Sequence, residues 1–567
     1  MISLLVLFSF SMVSGAQTVR EDSTTLLTVG ELSNGERIGG TAHLTLSIGP
    51  GSGRVFIDSL PLTRLDTQIT TRFAQRIACD YLDVDCSNVD FFYTIRAQTS
   101  LVGGPSAGAA TTLLTLSLLS GNTLDENIGI TGTINTGGLV GPVAGIPSKV
   151  NAAETAGLDK VFIPTWQMYN ESEIDQDIDV ELIEVSTLND LIEQTNLGRS
   201  LILENSANEE PPEEYQNIMG AISFELCENA LNLTDRVNDG NATENIDLAV
   251  NASANADYYS AASYCFGAST RLRSELYENQ TNETRELLRA NLLEKAEELE
   301  TTVNNVDIQT MSDLEAVIIV KERLLEATEA INTAENLGFA EERLNSAFSW
   351  SKFLDYNATN SVNLDNTFLE NACVTKLNEL EERVNYLDFI TGSVGQYRDD
   401  LSTIQTIATN EDYAFCIFRA TRVKADVNSL LLLQTMDPDN TGKLAQTKLQ
   451  ISKNSVFGNE NFPIIGYSYH DYAENLMQTN PELAVIFFEY ASEFGNLDMY
   501  TGEGKSTFRF GLLEQVNRPS FFLGFAMTGI IGIILALSLG RKTRKISRKK
   551  GFKPRKISKR NPPRKKR

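Results

Sequence analysis

The chain has 567 residues, 42% of them apolar and 22% charged, so it is globular rather than disordered and has room for two or more domains. Its net charge of -27 hides two opposite blocks: residues 541–567 hold sixteen Lys/Arg and no acid, so the remainder, -27 less the tail's +16, carries about -43. An acidic body excludes nucleic acid as a partner, because phosphates require Lys and Arg.

Taken in chain order, residues 1–16 (MISLLVLFSFSMVSGA) form a short apolar run ending in small residues, the pattern of a secretory signal without its usual basic start. Residues 27–200 read as a mixed α/β (α+β) domain. Strands are expected at 43–48 and 53–57, where β-formers are bounded by Gly and Pro. A helix is expected over 66–81, with an apolar stripe through Ile69, Phe73, Ile77 and Tyr81. A strand at 91–97 leads to LVGGPSAGAA at 101–110, and a helix at 106–119 would open with Ser106. Strands broken by glycine turns follow at 127–143. A second helix at 149–156 would open with Lys149 and end at Gly157, and residues 160–164 (KVFIP) read as a buried strand.

Residues 204–214 (ENSANEEPPEE) form an acidic linker. From 215 to 517 the pattern is helical, as in an all-α bundle or an α-solenoid. Ser312 and Glu315 have capping-box spacing ahead of an apolar helical run that Gly338 would stop, and 283–303 and 481–494 are similar helices. Residues 519–540 then run 22 positions without a charge, long enough for a transmembrane helix. The basic tail at 541–567 would stay in the cytoplasm and touch anionic lipid, which places 17–518 outside.

The six cysteines, Cys79, Cys86, Cys227, Cys265, Cys373 and Cys416, allow three disulfides in such an exterior body. Closeness along the chain favours 79–86, 227–265 and 373–416. Sequons at Asn170, Asn232, Asn241, Asn251, Asn279, Asn282 and Asn357 would be available for glycosylation after export.

Most routes to chemistry are closed. His43 and His470 are the only histidines, far apart in sequence, so a Ser-His-Asp site is not expected. No His or Cys spacing suits zinc. Residues 437–448 begin like a calcium loop, but Lys448 stands where a bidentate Glu is needed, so a plain turn is expected. Residues 502–507 (GEGKST) resemble the end of a phosphate loop, but Met499 replaces its first glycine. No metal or other cofactor is expected.

Serine with lysine remains. A serine hydroxyl needs a base, and a lysine serves only when neutral, which requires desolvation. Lys149 is the only charged residue between Glu126 and Glu154, and a helix N-terminus would loosen its proton further. Ser106 lies where free main-chain N–H groups would stabilise an oxyanion, and Gly103, Gly104 and Ala107 would let a substrate backbone approach.

Gly104-Pro-Ser-Ala-Gly108, Thr131-Gly-Thr-Ile134, Gly141-Pro-Val-Ala-Gly-Ile-Pro-Ser-Lys149, Ala152-Ala153, Gly157 and Val161-Phe-Ile-Pro164 occur in order. Together they resemble the proteolytic domain of the Lon family of Ser-Lys peptidases, over roughly residues 27–195, in the form of archaeal secreted Lon-like proteins. The resemblance implies Ser106 as nucleophile, Lys149 as general base and Thr131 as the residue that orients the amine. It departs from the family at Gly103, where an acid is common, and at Thr133, where a Glu is usual. The AAA+ unfoldase of the family has no counterpart here. The resemblance therefore implies an ATP-independent, membrane-anchored serine endopeptidase acting on loose or unfolded polypeptides, with a homo-oligomer allowed through the Lon-like domain. The alternatives are a non-catalytic surface binding or assembly protein and a protein that cleaves only itself.

Overall fold

The computed structural model describes residues 19–508 apart from 32–36, 98–102, 176, 203–209, 238, 279, 334–335, 357–363, 459–460 and 501–505. The expected signal segment, most of the linker, Asn279, Asn357, and the apolar segment 519–540 with its basic tail lie outside the described residues. Among the described residues no helix is long and apolar enough to cross a membrane, and no group of side chains is arranged to hold a metal ion.

Alternating side chains build the first sheet. In β2 (Arg37–Pro50) Ala42, Leu44, Leu46 and Ile48 are buried while His43 faces solvent, the period of two that a half-covered strand requires. β2 pairs antiparallel with β1 (Arg20–Glu31) on one side and with β5 (Val89–Ala97) on the other. β3 (Val55–Leu60) lies parallel to β5 at one edge, while β6 (Ile128–Ile130), β9 (Lys160–Pro164) and β10 (Glu181–Val185) extend the sheet beyond β1 in parallel. The order is β10-β9-β6-β1-β2-β5-β3, and β7 (Thr133–Ile134) pairs antiparallel with β8 (Val140–Gly141) apart from it.

Helices α1 (Leu65–Tyr81), α2 (Gly108–Ser120), α3 (Ile146–Thr155) and α4 (Leu188–Gln194) belong to this α/β part. α2 is buried on all sides from Gly108 to Leu119. Its threonines tolerate this because Thr111, Thr112 and Thr115 donate to the carbonyls four residues back, at 2.7–2.9 Å.

Several boundaries differ from expectation. β1 begins at Arg20, seven residues before the expected start of the domain at 27. Ser106 does not open the α-helix: it lies in a single 3-10 turn, Pro105–Ala107, ahead of α2. Lys149 does not open its helix either, because Ile146 and Pro147 start α3 and a proline in the first turn forfeits no hydrogen bond.

The helical part comprises α5 (Glu213–Thr234), α6 (Gly240–Ala254), α7 (Tyr258–Glu278), α8 (Asn282–Asn304), α9 (Met311–Thr333) and α10 (Leu337–Trp350). It continues through α11 (Asn366–Thr391), α12 (Gly395–Thr409), α13 (Tyr413–Thr435), α14 (Thr441–Phe457), α15 (Ile464–Leu476) and α16 (Pro481–Gly495). One apolar core runs from Tyr215 through Trp350 and Phe418 to Phe494. Helices distant in sequence meet in it, α9 against α13 and α7 against α15, so this is a bundle rather than a solenoid of nearest neighbours.

Gly338 does not stop α9; it sits in the first turn of α10, where a side chain would meet the Ser274 backbone of α7 at 2.5 Å. The capping box of α9 is Thr310 with Asp313, not Ser312 with Glu315, which are both buried. The last two residues of the expected linker are already helical in α5. The chain after Tyr500 leaves the helical part: β11 (Ser506–Thr507) pairs with β4 (Val84–Asp85), and the Phe508 carbonyl accepts from Asn88 at 2.7 Å.

The six cysteines form three disulfides in the sequence-local pairing: Cys79–Cys86 beside β4, Cys227–Cys265 between α5 and α7, and Cys373–Cys416 between α11 and α13.

Candidate active site

The polypeptide crosses itself at Ser106. The Gly132 N–H donates to the Ser106 carbonyl and the Ala109 N–H donates to the Gly132 carbonyl, both at 3.0 Å. These bonds seat the start of α2 on the segment just beyond β6. The closeness depends on glycine: a side chain at 132 would come within 2.5 Å of Val140. Gly104 has φ +97, a conformation that L side chains rarely adopt. Pro105 is buried, Ser106 is half-buried and Gly103 is exposed, so the turn lies at the edge of the core. No side chain caps this turn or α2, so Ser106 is not a helix cap. The Gly108 N–H is bonded to the Pro105 carbonyl and the Ala109 N–H to Gly132, so donors for a substrate oxygen must come from upstream of 108.

Thr131 follows β6 directly and is held there by its N–H to the Phe162 carbonyl of β9 at 3.0 Å. Its hydroxyl is wholly buried. Lys149 Nζ donates to this hydroxyl at 2.8 Å, and Thr131 Oγ1 in turn lies 3.5 Å from the Ser106 carbonyl oxygen. The Lys149 amine thus bonds Thr131 rather than the Ser106 hydroxyl. Lys149 is only 1% exposed. Burial alone pushes its pKa down from 10.5 to about 7, so near neutrality a large share of the amine is uncharged. The helix N-terminus is not needed to explain this, since Lys149 sits in the fourth position of α3.

The remaining sequence candidates fall elsewhere. His43 faces solvent on β2. His470 is buried in the helical part, with Nδ1 2.8 Å from Ser452 Oγ, and burial lowers its pKa to about 4. Asp437 closes a short turn, and Lys448 is buried in an ion pair with Glu489. Arg383 and Tyr386 on α11, which periodicity did not single out, touch the segment between Thr131 and Lys149.

Residues 98–197 match the model of the Lon protease (S16) C-terminal proteolytic domain. The chain is 41% identical over 106 residues to the Lon protease of Phenylobacterium zucineum (strain HLK1), which covers 18% of this chain and 13% of that protein. It is 31% identical over 121 residues to the archaeal Lon protease of Methanothermobacter thermautotrophicus, 21% of this chain and 19% of the relative. It is 35% identical over 107 residues to the peroxisomal Lon protease homolog 2 of Xenopus laevis, 18% and 12%. The chain thus spans less than a fifth of the length of each of these relatives. The likeness is to a serine peptidase domain, and it contains Ser106, Thr131 and Lys149 but none of the helical part.

Proposed function

We propose that the protein is a serine endopeptidase with Ser106 as nucleophile and Lys149 as general base. The observation that carries this reading is a buried amine, its pKa lowered by that burial, bonded to a threonine that touches the Ser106 main chain. Ser106 Oγ attacks a peptide carbonyl carbon and its proton passes to Lys149 Nζ. The C–N bond then breaks, the amine fragment leaves with that proton, and an acyl ester remains on Ser106. Water repeats the cycle on the ester, with Lys149 again taking and returning one proton. Thr131 holds the amine in place. Bonds between nucleophile and base are often long in unliganded sites and tighten around substrate, so a lysine resting on Thr131 suits this cycle. Gly103, Gly104 and Ala107 would frame the substrate carbonyl.

The protein would stand outside the cytoplasm, anchored by 519–540. Three disulfides favour an oxidising compartment, and the sequons Asn170, Asn232, Asn241, Asn251 and Asn282 are all exposed. It would need no ATP and act on loose or unfolded polypeptides. The test is labelling by a fluorophosphonate together with cleavage of an unfolded protein substrate. Ser106→Ala should abolish both, and Lys149→Met should reduce both by about a thousandfold or more. Wild-type protein that neither labels nor cleaves between about pH 6 and 10 would favour the binding-module alternative.

A further inference from the structure

α11 carries a buried polar face. Lys376, Glu379, Arg383 and Tyr386 recur at spacings of three and four, which places them on one side of the helix, and each is at most 5% exposed. Charged side chains are rarely buried this far unless paired; here Arg383, Tyr386 and Glu379 find partners in the α/β part, and Lys376 reaches it through Glu493. Arg383 donates to the Ile134 carbonyl. The Tyr386 hydroxyl accepts from the Ala144 N–H at 3.2 Å and donates to the Pro142 carbonyl at 3.4 Å. Lys376 bonds Glu493 of α16 at 2.8 Å, and Glu493 accepts from the Thr136 hydroxyl at 2.8 Å. Glu379 pairs with Arg76 of α1 at 2.8 Å.

The segment held in this way runs from three residues after Thr131 to the residue before Gly145. Gly145 is the N-cap of α3, and its carbonyl accepts from the Lys149 N–H at 3.1 Å. Thr131 and Lys149 therefore sit at the two ends of a stretch of main chain that α11 grips from outside the Lon-like fold. The Cys373–Cys416 disulfide ties α11 in turn to α13.

We propose that Arg383 and Tyr386 are positioning residues of the Ser-Lys site: by fixing the main chain at 134 and 142–144, they seat Thr131 and Lys149 and keep water from the amine. Neither touches substrate. The proposal rests on the reading of Lys149 as the base, and it makes the helical part a structural component of the catalytic centre rather than an appendage. If the grip loosens, water reaches Nζ, the desolvation that favours the neutral amine is lost, and the amine is protonated at working pH. A displacement of about 1 Å would also cost about a hundredfold in rate.

The test uses the full chain with Tyr386→Phe, Arg383→Met and Arg383→Lys. Arg323→Met is the control for general destabilisation. Arg323 is equally buried but bonds Ser346 and stacks on Trp350, within the helical part. Two quantities are followed against pH: the 13C shift of Lys149 Cε in lysine-labelled protein, assigned with Lys149→Arg, and the fluorophosphonate labelling rate. Tyr386→Phe and Arg383→Met should move the lysine midpoint up by about one pH unit and slow labelling about tenfold at pH 7. Arg383→Lys should recover part of the shift, and Arg323→Met should leave the midpoint unchanged. An unmoved midpoint in both test variants, or an equal shift in Arg323→Met, overturns the proposal. Tyr386→Phe removes a single oxygen, so it keeps the test decisive if Arg383→Met fails to fold. The NMR titration reads the positioning effect even in a protein that does not label, so failure of the peptidase reading is distinguishable from failure of this one.

Discussion

Lys149 has a cost as well as a use. Its folded pKa of about 7 lies below its ordinary 10.5, so between those values the unfolded chain holds a proton that the folded chain does not. Stability attributable to this group therefore rises with pH through that window, and at pH 7 nearly the full penalty is still present. A depression of this size amounts to a few kcal/mol. Lys149→Met, which removes the amine and keeps an unbranched apolar chain, should melt higher than wild type at pH 7, with the difference shrinking toward about pH 10. Thermal melts of the two proteins at matched pH check this. A variant less stable at every pH would mean that the bond to Thr131 outweighs desolvation. Peptidase chemistry runs the other way: below about pH 7 labelling of Ser106 should fall about tenfold per unit as the amine takes up its proton.

At the scale of elements, α11 shows what a bond across helices contributes. Cys373 and Cys416 close a loop of sequence separation 43, and both are wholly buried between α11 and α13. Constraining a loop of that length is worth about 3–4 kcal/mol through the unfolded chain. Cys373→Ala with Cys416→Ala should lower the melting temperature by several degrees, read by calorimetry under non-reducing conditions. A double variant as stable as wild type would mean that the bond adds nothing to the packing of the two helices. α11 also marks the limit of legibility. Ser106, Thr131 and Lys149 were readable because each sits in a short motif whose glycines and prolines have local causes. The stripe Leu44, Leu46, Ile48 was readable because burial alternates with the pleat. Lys376, Glu379 and Arg383 look in sequence like one side of a solvated helix. Only tertiary pairing with Glu493, Arg76 and the Ile134 carbonyl reveals them as buried. Boundaries failed for similar reasons: Gly338 permits a close helix contact rather than a stop, and Pro147 begins α3 rather than preceding it.

For the whole molecule, the two parts share an interface that buries charge beside an apolar cluster in which Leu139 and Trp166 meet Leu432, Met436 and Leu444. Glu379, Glu489 and Glu493 meet Lys376, Lys424 and Lys448 in the interior, with Asn135 and Thr136 of the α/β part bonded to Glu489 and Glu493. Burial alone would raise the Glu493 carboxyl, but Lys376 and Lys424 more than reverse this and hold it at about 2. Glu493 is therefore ionised throughout the neutral range. Other buried carboxyls are not: burial raises Glu315 to about 8, and Glu382 and Asp471 to about 7 each. These groups hold protons in the folded chain that the unfolded chain has released, so their contribution to stability falls as pH climbs from about 4 to 8. Glu382 belongs to α11, next to Arg383, so its ionisation also acts on the helix that grips the site. On the proposed reading the demands conflict, because the amine would serve as a base above about pH 7 while the buried carboxyls lose stability as pH rises toward 8. The melting temperature should fall between about pH 5 and 7, before Lys149 begins to offset the loss, and Glu315→Gln, which keeps an oxygen for the Ile465 N–H, should flatten that slope and raise stability most at the alkaline end. A melting temperature flat across that range, or a Glu315→Gln profile parallel to wild type, would show that the Glu315 carboxyl is already ionised in the folded protein.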